Sequence, residues 1–581
     1  MDKEIFKELN QQQLAAVHKI NGPSVILAGA GSGKTRVLVY KVLNLIKNHK
    51  IAAATIIMIT FTNKAAEEMK KRIDQPLGFI GTFHAFCCQI LRRFGPKIGI
   101  DYNFVIYDES DQKNLIKQIL KRSEQIKFSP AYFINRISAA KSILVEPDKY
   151  LSIFSDYNAA NVAAVYKKYQ KLLEKNMAVD FDDLIMKVIR LFKKDTQVLQ
   201  FYQDKYQYIL IDEFQDTNHA QYILTKYLAK KNNNITVVGD FSQSIYSWRG
   251  ADIQNLEKFK NDFPKVITYF LEENYRSSQN ILDFAYCVIS KNQSHSILQL
   301  YTKKNKGRDI VIQNTGNEED ESLFIAEEIQ RLNLNYSYQQ MAVLYRTNAQ
   351  SRLIEEVFIK FGIPYLLIGG TRFYERREIK DVLSYLRLLV NPIDTVALER
   401  IKKLGKRRYD KFKMFYQKIK DQRKKYKTDE LMKKVFIATG YLENYDTNNE
   451  EDYSRLENIK ELNSVAVNFP DLTQFLEQVA LVESEYFEKE KKQNKLQGVR
   501  LMTLHQAKGL EFEVVFIAGL EEGILPHARA IDDQFQLEEE RRLFYVGITR
   551  AKERLYLTWA ERRFIFGNRI ESIKSRFLEA V

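Results

Sequence analysis

An eight-residue segment, AGAGSGKT at positions 28–35, constrains the fold of this chain more than any other feature. It follows the apolar run SVIL and opens the helical pattern TRVLVYKVLNLI. A Gly-rich turn between a strand and a helix directs backbone N–H groups and the helix N-terminus at phosphate oxygens. The segment therefore predicts an ATP site with Mg²⁺. Its predicted contacts are the backbone of Ala30, Gly31, Ser32 and Gly33, Lys34 on the β- and γ-phosphates, and Thr35 on the metal.

A second segment, YILIDEFQD at positions 208–216, supplies acidic partners for that site. Asp212 ends an apolar strand and is predicted to hold Mg²⁺ through water, and Glu213 is predicted to orient and deprotonate the attacking water. Two solvated acids at a strand end would be the simpler interpretation, but the upstream phosphate loop disfavours it. Because Lys34 and Asp212 are 178 positions apart, a helical insertion of about 100 residues is expected between them.

Short apolar runs, each followed by a helical pattern, recur along the chain and predict parallel sheets covered on both faces. They fall into two groups, which predicts an α/β fold with two separate parallel-sheet cores. The first group is 24–28, 54–60, 208–212 and 234–240; the second is 309–314, 341–346, 364–369, 499–505, 514–520 and 554–560.

The charge balance indicates a polyanionic partner. The 581 residues include 89 Lys and Arg against 74 Asp and Glu, a net charge of +15, which fits nucleic acid, an anionic membrane surface or a merely Lys-rich surface. Residues 402–427 alone hold 13 basic and two acidic residues. Three cysteines without CxxC spacing, together with no signal-like or membrane-spanning run, predict a cytoplasmic protein that binds no membrane.

Twelve segments, which include the two described above, occur in an order and at spacings that carry a specific resemblance. They are LNQQQLAAV, AGAGSGKTR, ITFTNKAAEEM, GTFH, VDFDDL, DEFQDTN, VGDFSQSIYSWRGA, LEENYRSS, VLYRTN, GGTRFYERREIKD, LMTLHQAKGLEFEVVFIAGLEEG and EEERRLFYVGITRAKERL. From Leu9 to its last residues, the chain resembles superfamily 1 DNA helicases of the UvrD/Rep/PcrA type. The resemblance implies two RecA-like cores, each interrupted by a mostly helical inserted domain.

The domain boundaries expected from this resemblance follow the motifs. The first core would comprise 1–81 and 201–272, with 82–200 as its helical insertion. The second core would comprise 273–371 and 496–581, with the basic segment 372–495 as its insertion.

The resemblance also assigns nucleotide contacts by matching position. The matched residues are Gln13 for adenine, Tyr275 for stacking on it, Arg36 beside the nucleotide, Gln243 for sensing the γ-phosphate, Glu511 for the ribose, and Arg276 and Arg550 as arginine fingers.

A track for single-stranded DNA is implied in the same way, because such tracks combine aromatic faces with phosphate donors. The matched residues are Phe61, Phe181, Tyr246 and Trp248 for stacking, and Thr62, Asn63, His84, Arg249, Arg346, Asn348, Thr503 and His505 for backbone and base contacts. The segment LYLTWAERRFIFGNR is predicted as strand, turn and strand, with Phe566 against the duplex junction.

Three departures from the family pattern bear on these expectations. Phe241 and Ser242 replace an acidic pair, and Ser247 replaces Gly, which leaves local tuning of the sensor open. LGKRRYDKF at 404–412 stands where a Pro- and Gly-rich turn is usual. Because the sequence stops at SRFLEAV, we expect neither the C-terminal tail of longer members nor a nuclease domain.

The resulting hypothesis is an ATP-dependent 3′–5′ DNA helicase and single-strand translocase acting in repair or replication restart. Its expected partners are single-stranded DNA and junctions with duplex, and it would work as a monomer or a transient dimer. Two alternatives stay open: a translocase that strips proteins and barely unwinds, and a nucleotide-dependent DNA-binding switch with negligible turnover.

Overall fold

The computed structural model describes residues 6–121, 128–447, 449–480, 497–565 and 568–579. The chain divides into two compact units. The first unit comprises Met1–Arg276 and Ile289–Lys304, and the second comprises Ser277–Val288 and Asn305–Val581.

The strands of the first unit form one large sheet and one small pair. In chain order they are β1 (Ser24–Ala28), β2 (Ile56–Thr60), β3 (Phe79–Thr82), β4 (Val105–Tyr107), β5 (Ala178–Asp180), β6 (Tyr208–Ile211), β7 (Ile235–Gly239) and β8 (Ile267–Leu271). The large sheet has the order β3-β2-β6-β7-β1-β8 and every pairing in it is parallel, while β4 pairs in parallel with β5.

The helices of the first unit surround this sheet and build the insertion. They are α1 (Gln11–His18), α2 (Lys34–Leu43), α3 (Asn63–Ile73), α4 (Phe83–Phe94), α5 (Glu109–Lys121), α6 (Pro130–Ser142), α7 (Tyr150–Ile153), α8 (Ala159–Lys175), α9 (Phe181–Lys194), α10 (Thr196–Lys205), α11 (His219–Ala229) and α12 (Asn255–Asp262).

Both faces of the first sheet are buried, which explains why its central strands are continuous apolar runs. Alternate residues of β2 enter different cores: Ile57 packs in one core and Met58 in the other. Helices α4 and α9 pack in the core that holds Ile57, whereas α5, α6 and α8 share a separate core centred on residues such as Phe133 and Tyr166. The insertion therefore combines helices that cover the sheet with a small helical core of its own.

The second unit repeats the parallel arrangement. Its strands are β9 (Val311–Thr315), β10 (Met341–Tyr345), β11 (Tyr365–Leu367), β12 (Val499–Thr503), β13 (Phe512–Ile517), β14 (Ala551–Ala560), β15 (Arg562–Ile565) and β16 (Asn568–Glu571). The large sheet has the order β11-β12-β10-β13-β14-β9 with parallel pairing throughout, and β15 pairs with β16 in antiparallel fashion.

The helices of the second unit fall into core helices and an inserted group. They are α13 (Gln279–Ile289, nearly all in this unit), α14 (Glu318–Leu332), α15 (Ser351–Phe361), α16 (Arg377–Val390), α17 (Thr395–Lys403), α18 (Lys406–Ile419), α19 (Thr428–Thr439), α20 (Glu450–Asn468), α21 (472–480) and α22 (Gln534–Ile548). Helices α16 to α21 share one apolar core that includes Tyr385, Phe412 and Leu462.

These observations confirm the predicted α/β class with two parallel sheets and many helices. Each predicted apolar run contains a strand, but β3 and β8, which lie at the two edges of the first sheet, are additional. The predicted order of strand, turn and strand near the C-terminus is present, because β14 ends at Ala560 and β15 begins at Arg562. Strand β14 pairs in parallel with β13 and β9, and the antiparallel hairpin consists of β15 and β16. The four domain boundaries stay a prediction.

Among the helices of the described residues, none has the length and the apolar character needed to cross a membrane.

Candidate functional site

The phosphate loop lies between the carboxyl end of β1 and the first turn of α2. Gly31 and Gly33 have φ values of +67° and +85°, which side chains with a Cβ rarely adopt. A Cβ on Gly31 would lie 2.7 Å from Asn274 Nδ2, so close packing as well as backbone conformation requires glycine there. Lys34 extends back along the loop, where its Nζ lies 3.4 Å from the Ala28 carbonyl oxygen.

Buried carboxylates meet Lys34 at the ends of the neighbouring strands β6 and β7. Asp212 and Asp240 are nearly fully buried, and Lys34 Nζ lies 3.9 Å from Asp240 Oδ2. Burial and the charge of Glu213 raise the pKa of Asp212 to about 7, although the charge of Lys34 opposes the rise. Burial likewise raises the pKa of Asp240 above its usual range. A cation bound beside these carboxyl groups would favour their ionised form, so the site is suited to one.

A group of three or more His, Cys, Asp or Glu side chains able to hold a metal ion does not occur within the described residues. A phosphate-loop site does not need one, because a hydroxyl and the phosphate oxygens supply the other ligands of Mg²⁺. Thr35, in the first turn of α2, and Asp212 are donors of the kind this ion prefers. The residues present thus fit the predicted metal.

Hydrogen bonds connect the predicted base to the predicted γ-phosphate sensor. Gln215 Nε2 donates to Glu213 Oε2 at 2.6 Å, and its Oε1 accepts from the backbone N–H of Asp240 at 3.1 Å. Gln243 Nε2 then donates to Asp240 Oδ2 at 2.6 Å. A Cβ on Gly239 would lie 2.5 Å from Gln215 Oε1, which explains the glycine before Asp240. Sequence reasoning named neither Gln215 nor Asp240, although both lie within the quoted segments.

Helix α1 brings Gln13 to the phosphate loop. Gln13 is fully buried, and its Nε2 donates to the Ser32 carbonyl oxygen at 2.9 Å. Asn10 forms a capping box with Gln13 and also donates to the Tyr275 hydroxyl at 2.9 Å. The Tyr275 N–H in turn donates to the Gly31 carbonyl oxygen at 3.0 Å. Asn10, which the sequence did not single out, thus joins the two residues predicted to contact adenine.

The remaining nucleotide residues of the first unit lie beside these groups. Arg36 forms an ion pair with Glu8, and its guanidinium lies 5.8 Å from the ring centre of Tyr40. The Arg276 N–H donates to Asn274 Oδ1 at 2.7 Å, and Asn274 Nδ2 donates to the Ala30 carbonyl oxygen at 2.6 Å. Asn274 thereby ties the predicted arginine finger to the loop.

Aromatic side chains gather where β2 ends and the 241–251 loop begins. The rings of Phe61 and Tyr246 stack at 6.0 Å with an interplanar angle of 9°, and Trp248 meets Tyr246 at 6.4 Å. Trp248 is 50% exposed, and the Arg249 guanidinium lies 4.5 Å from its ring centre. Thr62 caps α3 by accepting from the Ala65 N–H, which leaves Thr62 and Asn63 exposed beside the rings. An exposed Trp over a stacked pair can accept a nucleobase.

His84 and Phe181 form a second aromatic pair in the first unit. Their rings meet edge to face, with centres 5.8 Å apart, and Phe181 is 49% exposed. Burial lowers the pKa of His84, so its imidazole is neutral at physiological pH.

In the second unit, the predicted DNA contacts lie at the carboxyl ends of β10 and β12. Arg346 follows β10 and binds Glu540 through two nitrogens, with Nη2 to Oε1 at 2.8 Å. Thr503 is buried, whereas Asn348 and His505 are half-buried. A DNA phosphate bound by Arg346 would therefore displace the Glu540 carboxylate or share the guanidinium with it.

Two predicted nucleotide residues also lie in the second unit. The Arg550 guanidinium is buried and donates to the Val546 and Leu510 carbonyl oxygens at 3.0 and 3.1 Å. Glu511 is 45% exposed and pairs with Lys552 at 3.3 Å. Phe566 lies outside the described residues.

Comparison with known proteins places these sites in a family context. Residues 9–264 match the model of the UvrD/REP helicase N-terminal domain, and residues 269–409 and 402–562 match that of the UvrD-like helicase C-terminal domain. A protein named ATP-dependent DNA helicase PcrA from Staphylococcus epidermidis is 42% identical, and the match covers 99% of this chain and 87% of that protein. A protein of the same name from Staphylococcus aureus is also 42% identical, and 86% of it is covered.

Proposed function

Because this chain belongs to the UvrD/REP helicase family, we infer that it is an ATP-dependent DNA helicase, and we propose roles for its individual residues. Nucleotide use and DNA as substrate follow from that membership. The observation that carries the residue roles is the connected path in the first unit from the phosphate loop, through buried acids and glutamines, to an exposed aromatic cluster.

The phosphate loop and its acids are proposed to bind MgATP. Lys34 and the loop backbone would hold the β- and γ-phosphates, while Thr35 and Asp212 would hold Mg²⁺. When bound, Mg²⁺ would neutralise phosphate charge that phosphoryl transfer must otherwise stabilise. Glu213 would orient the attacking water and accept its proton, and the bond from Gln215 fixes the direction of its carboxylate. The family assigns Arg276, Arg550 and Glu511 to the same nucleotide.

Gln243 is proposed to link hydrolysis to the grip on DNA. It is hydrogen-bonded to Asp240 on one side and stands three positions before Tyr246 on the other. If Gln243 exchanged its bond to Asp240 for one to the γ-phosphate, its side chain would move. Through this short loop, the stacked rings of Tyr246 and Phe61 would move with it. This gives the coupling a short covalent route within one unit.

The aromatic cluster is proposed to bind single-stranded DNA by stacking. Phe61, Tyr246 and Trp248 would hold bases, with Arg249 and Thr62 contacting the backbone. The second-unit residues Arg346, Asn348, Thr503 and His505 would also contact single-stranded DNA, and Phe566 would meet the duplex junction. Movement from 3′ to 5′, activity as a monomer or transient dimer, a role in repair or replication restart, and the four-domain division are proposed from the family resemblance. The cytoplasmic location is proposed from the cysteine usage and the absence of a signal-like run in the sequence.

The basic segment of the second insertion is proposed to contact duplex phosphates. Helix α18 buries Phe412 and Ile419, while most of its Lys and Arg residues are exposed. Residues 402–427 carry a net charge of +11, compared with +15 for the whole chain, so much of the surplus charge lies on one segment. Such contacts would be independent of sequence and weakened by salt.

The first experiment measures ATP hydrolysis with and without single-stranded DNA at one fixed salt concentration. A helicase motor predicts a strong stimulation by DNA. Turnover that is negligible or indifferent to DNA would instead favour the nucleotide-dependent binding switch.

A further inference from the structure

A buried charge cluster lies beside Phe181, where α6 and α8 of the helical insertion pack near the start of α9. Lys141, at the end of α6, is fully buried, and its Nζ lies 2.6 Å from Asp180 Oδ2 and 3.0 Å from Asp183 Oδ1. Both carboxylates are also almost completely buried. The cluster therefore joins three charged groups from two elements, which the proposed catalytic and DNA-binding roles do not use.

Polar neighbours complete the cluster. The Tyr169 hydroxyl donates to Asp180 Oδ2 at 2.9 Å, and Gln170 Nε2 donates to Asp183 Oδ2 at 3.1 Å, both from α8. Burial alone would lower the pKa of Lys141, but the charges of Asp180 and Asp183 outweigh it and raise that pKa above its usual value. Lys141 is therefore charged at all physiological pH values.

Asp180 also fixes the start of α9. Asp180 is the N-cap residue, and its Oδ1 accepts from the Asp183 N–H at 2.8 Å while its Oδ2 binds Lys141. Phe181 is the first residue of the helix, so the cap determines the direction in which its ring leaves the backbone. The ring is half exposed and lies against His84.

The end of α6 also approaches the other aromatic group of the first unit. Ser142 follows Lys141, and a Cβ built on Gly250, two positions after Trp248, would lie 3.4 Å from Ser142 Oγ. Helix α6 thus ends between the Phe181 pair and the loop that carries Trp248.

Stability alone does not account for charges in this position. Replacing a buried ion pair by apolar side chains of similar volume is often neutral or stabilising, so such a pair is weak evidence for a stabilising role. What a lysine held between two carboxylates does supply is direction, because each bond has a defined geometry. Here that direction is transmitted to the cap of α9.

We propose that Lys141 is a positioning residue: through Asp180 and Asp183 it fixes Phe181 in the orientation that stacks on a base of single-stranded DNA. This inference rests on the proposed role of Phe181 as a DNA contact. It adds a residue of the helical insertion to the DNA-binding machinery without any contact between that residue and DNA.

The test is a double-mutant cycle on the affinity for a fluorescent single-stranded oligonucleotide. F181A and K141M should each weaken binding about 5- to 100-fold, the range expected for loss of one stacked base. In the F181A background, K141M should have less than about a twofold further effect, because the ring that it positions is gone.

Two further variants keep the result interpretable. K141M combined with D180N removes one charge of each sign and keeps the cap, because Asn is as good an N-cap as Asp. This double variant replaces K141M in the test if K141M alone does not fold. Its loss of affinity for single-stranded DNA should likewise depend on the presence of Phe181. K167M breaks the exposed Lys167–Asp148 pair of the same insertion and should leave DNA binding unchanged.

The outcomes separate the two ideas. If F181A weakens binding and the K141M effect multiplies with it, Phe181 contacts DNA but Lys141 does not position it, and the inference is wrong. If F181A leaves binding unchanged, the proposed contact and the inference both fail.

Discussion

The two large sheets are both six-stranded and parallel, but their carboxyl edges carry different charge arrangements. On the first sheet, Asp212 and Asp240 follow β6 and β7, and their pKa values are raised despite the nearby Lys34. On the second sheet, Arg346 follows β10 and binds Glu540 through two nitrogens. Nearby, Arg563 lies between Glu321 and Glu521, at 2.5 and 2.6 Å.

This difference shows how one fold can serve two purposes. Ligands of open α/β sheets bind at the carboxyl ends of the strands, so both edges are available for function. At the first edge, burial disfavours ionisation of the carboxyl groups until a cation is bound beside them, so this edge is suited to a metal and a nucleotide. At the second edge, arginines bind the buried carboxylates, and Arg563 of β15 joins the β15–β16 hairpin to Glu321 of α14. Function therefore follows from the groups at each edge and not from the fold.

The largest expected effect is at the first edge. Glu213→Gln should lower kcat for ATP hydrolysis about 100- to 10,000-fold, because the amide cannot accept the proton of the attacking water. ATP binding and the melting temperature should stay close to those of the parent protein. The matched control is Glu257→Gln, an exposed acid of the same unit. Hydrolysis at the parental rate would show that Glu213 is not the base.

At the second edge, the large effect should be on stability. Arg563→Met leaves the buried carboxylates of Glu321 and Glu521 without their cation, which costs about 3–5 kcal/mol in the free energy of unfolding. Denaturant unfolding measures this loss. A variant as stable as the parent would show that Arg563 does not compensate the two carboxylates, and it would remove the contrast between the two sheets.

Between these extremes lies the aromatic cluster of the first unit. Trp248→Ala should weaken binding of single-stranded DNA by about 1–3 kcal/mol, the contribution of one stacked base. The DNA-stimulated ATPase should therefore fall more than the basal ATPase. Equal losses in both rates would instead indicate that Trp248, although half exposed, acts by packing.

The smallest effect is expected for an exposed ion pair of the second unit. Arg576 binds Glu522 at 2.7 Å, but its side chain is 39% exposed. Arg576→Met should change the free energy of unfolding by about 0–1 kcal/mol, as exposed ion pairs do. A loss as large as that of Arg563→Met would show that burial is not what distinguishes the two arginines.

The sequence predicted what is encoded locally. The phosphate loop and the acids after β6 lie in contiguous segments, and central strands such as β7 are apolar throughout because both sheet faces are covered. Edge strand β8 was missed although its sequence ITYFL is rich in β-branched and aromatic residues. Four of its five residues, among them Ile267 and Phe270, are exposed or only partly buried, as is common at the edge of a sheet.

The remaining features depend on contacts between distant positions. Lys141 and Asp180 are 39 residues apart, and Arg346 and Glu540 are 194 apart. No local pattern predicts which lysine of a basic helix is buried, or which carboxylate an arginine will bind. Gln215 and Asp240 were missed for another reason: their motifs were recognised, but their role appears only when β6 and β7 lie side by side.

The most direct test of 3′–5′ helicase activity is ATP-dependent strand displacement on three duplexes of one sequence, with a 3′ tail, a 5′ tail or blunt ends. We expect the protein to unwind the 3′-tailed duplex, the 5′-tailed and blunt duplexes to stay largely paired, and Glu213→Gln to unwind none. Rapid ATP hydrolysis on the 3′-tailed substrate without strand displacement would show that the protein is a translocase that does not unwind.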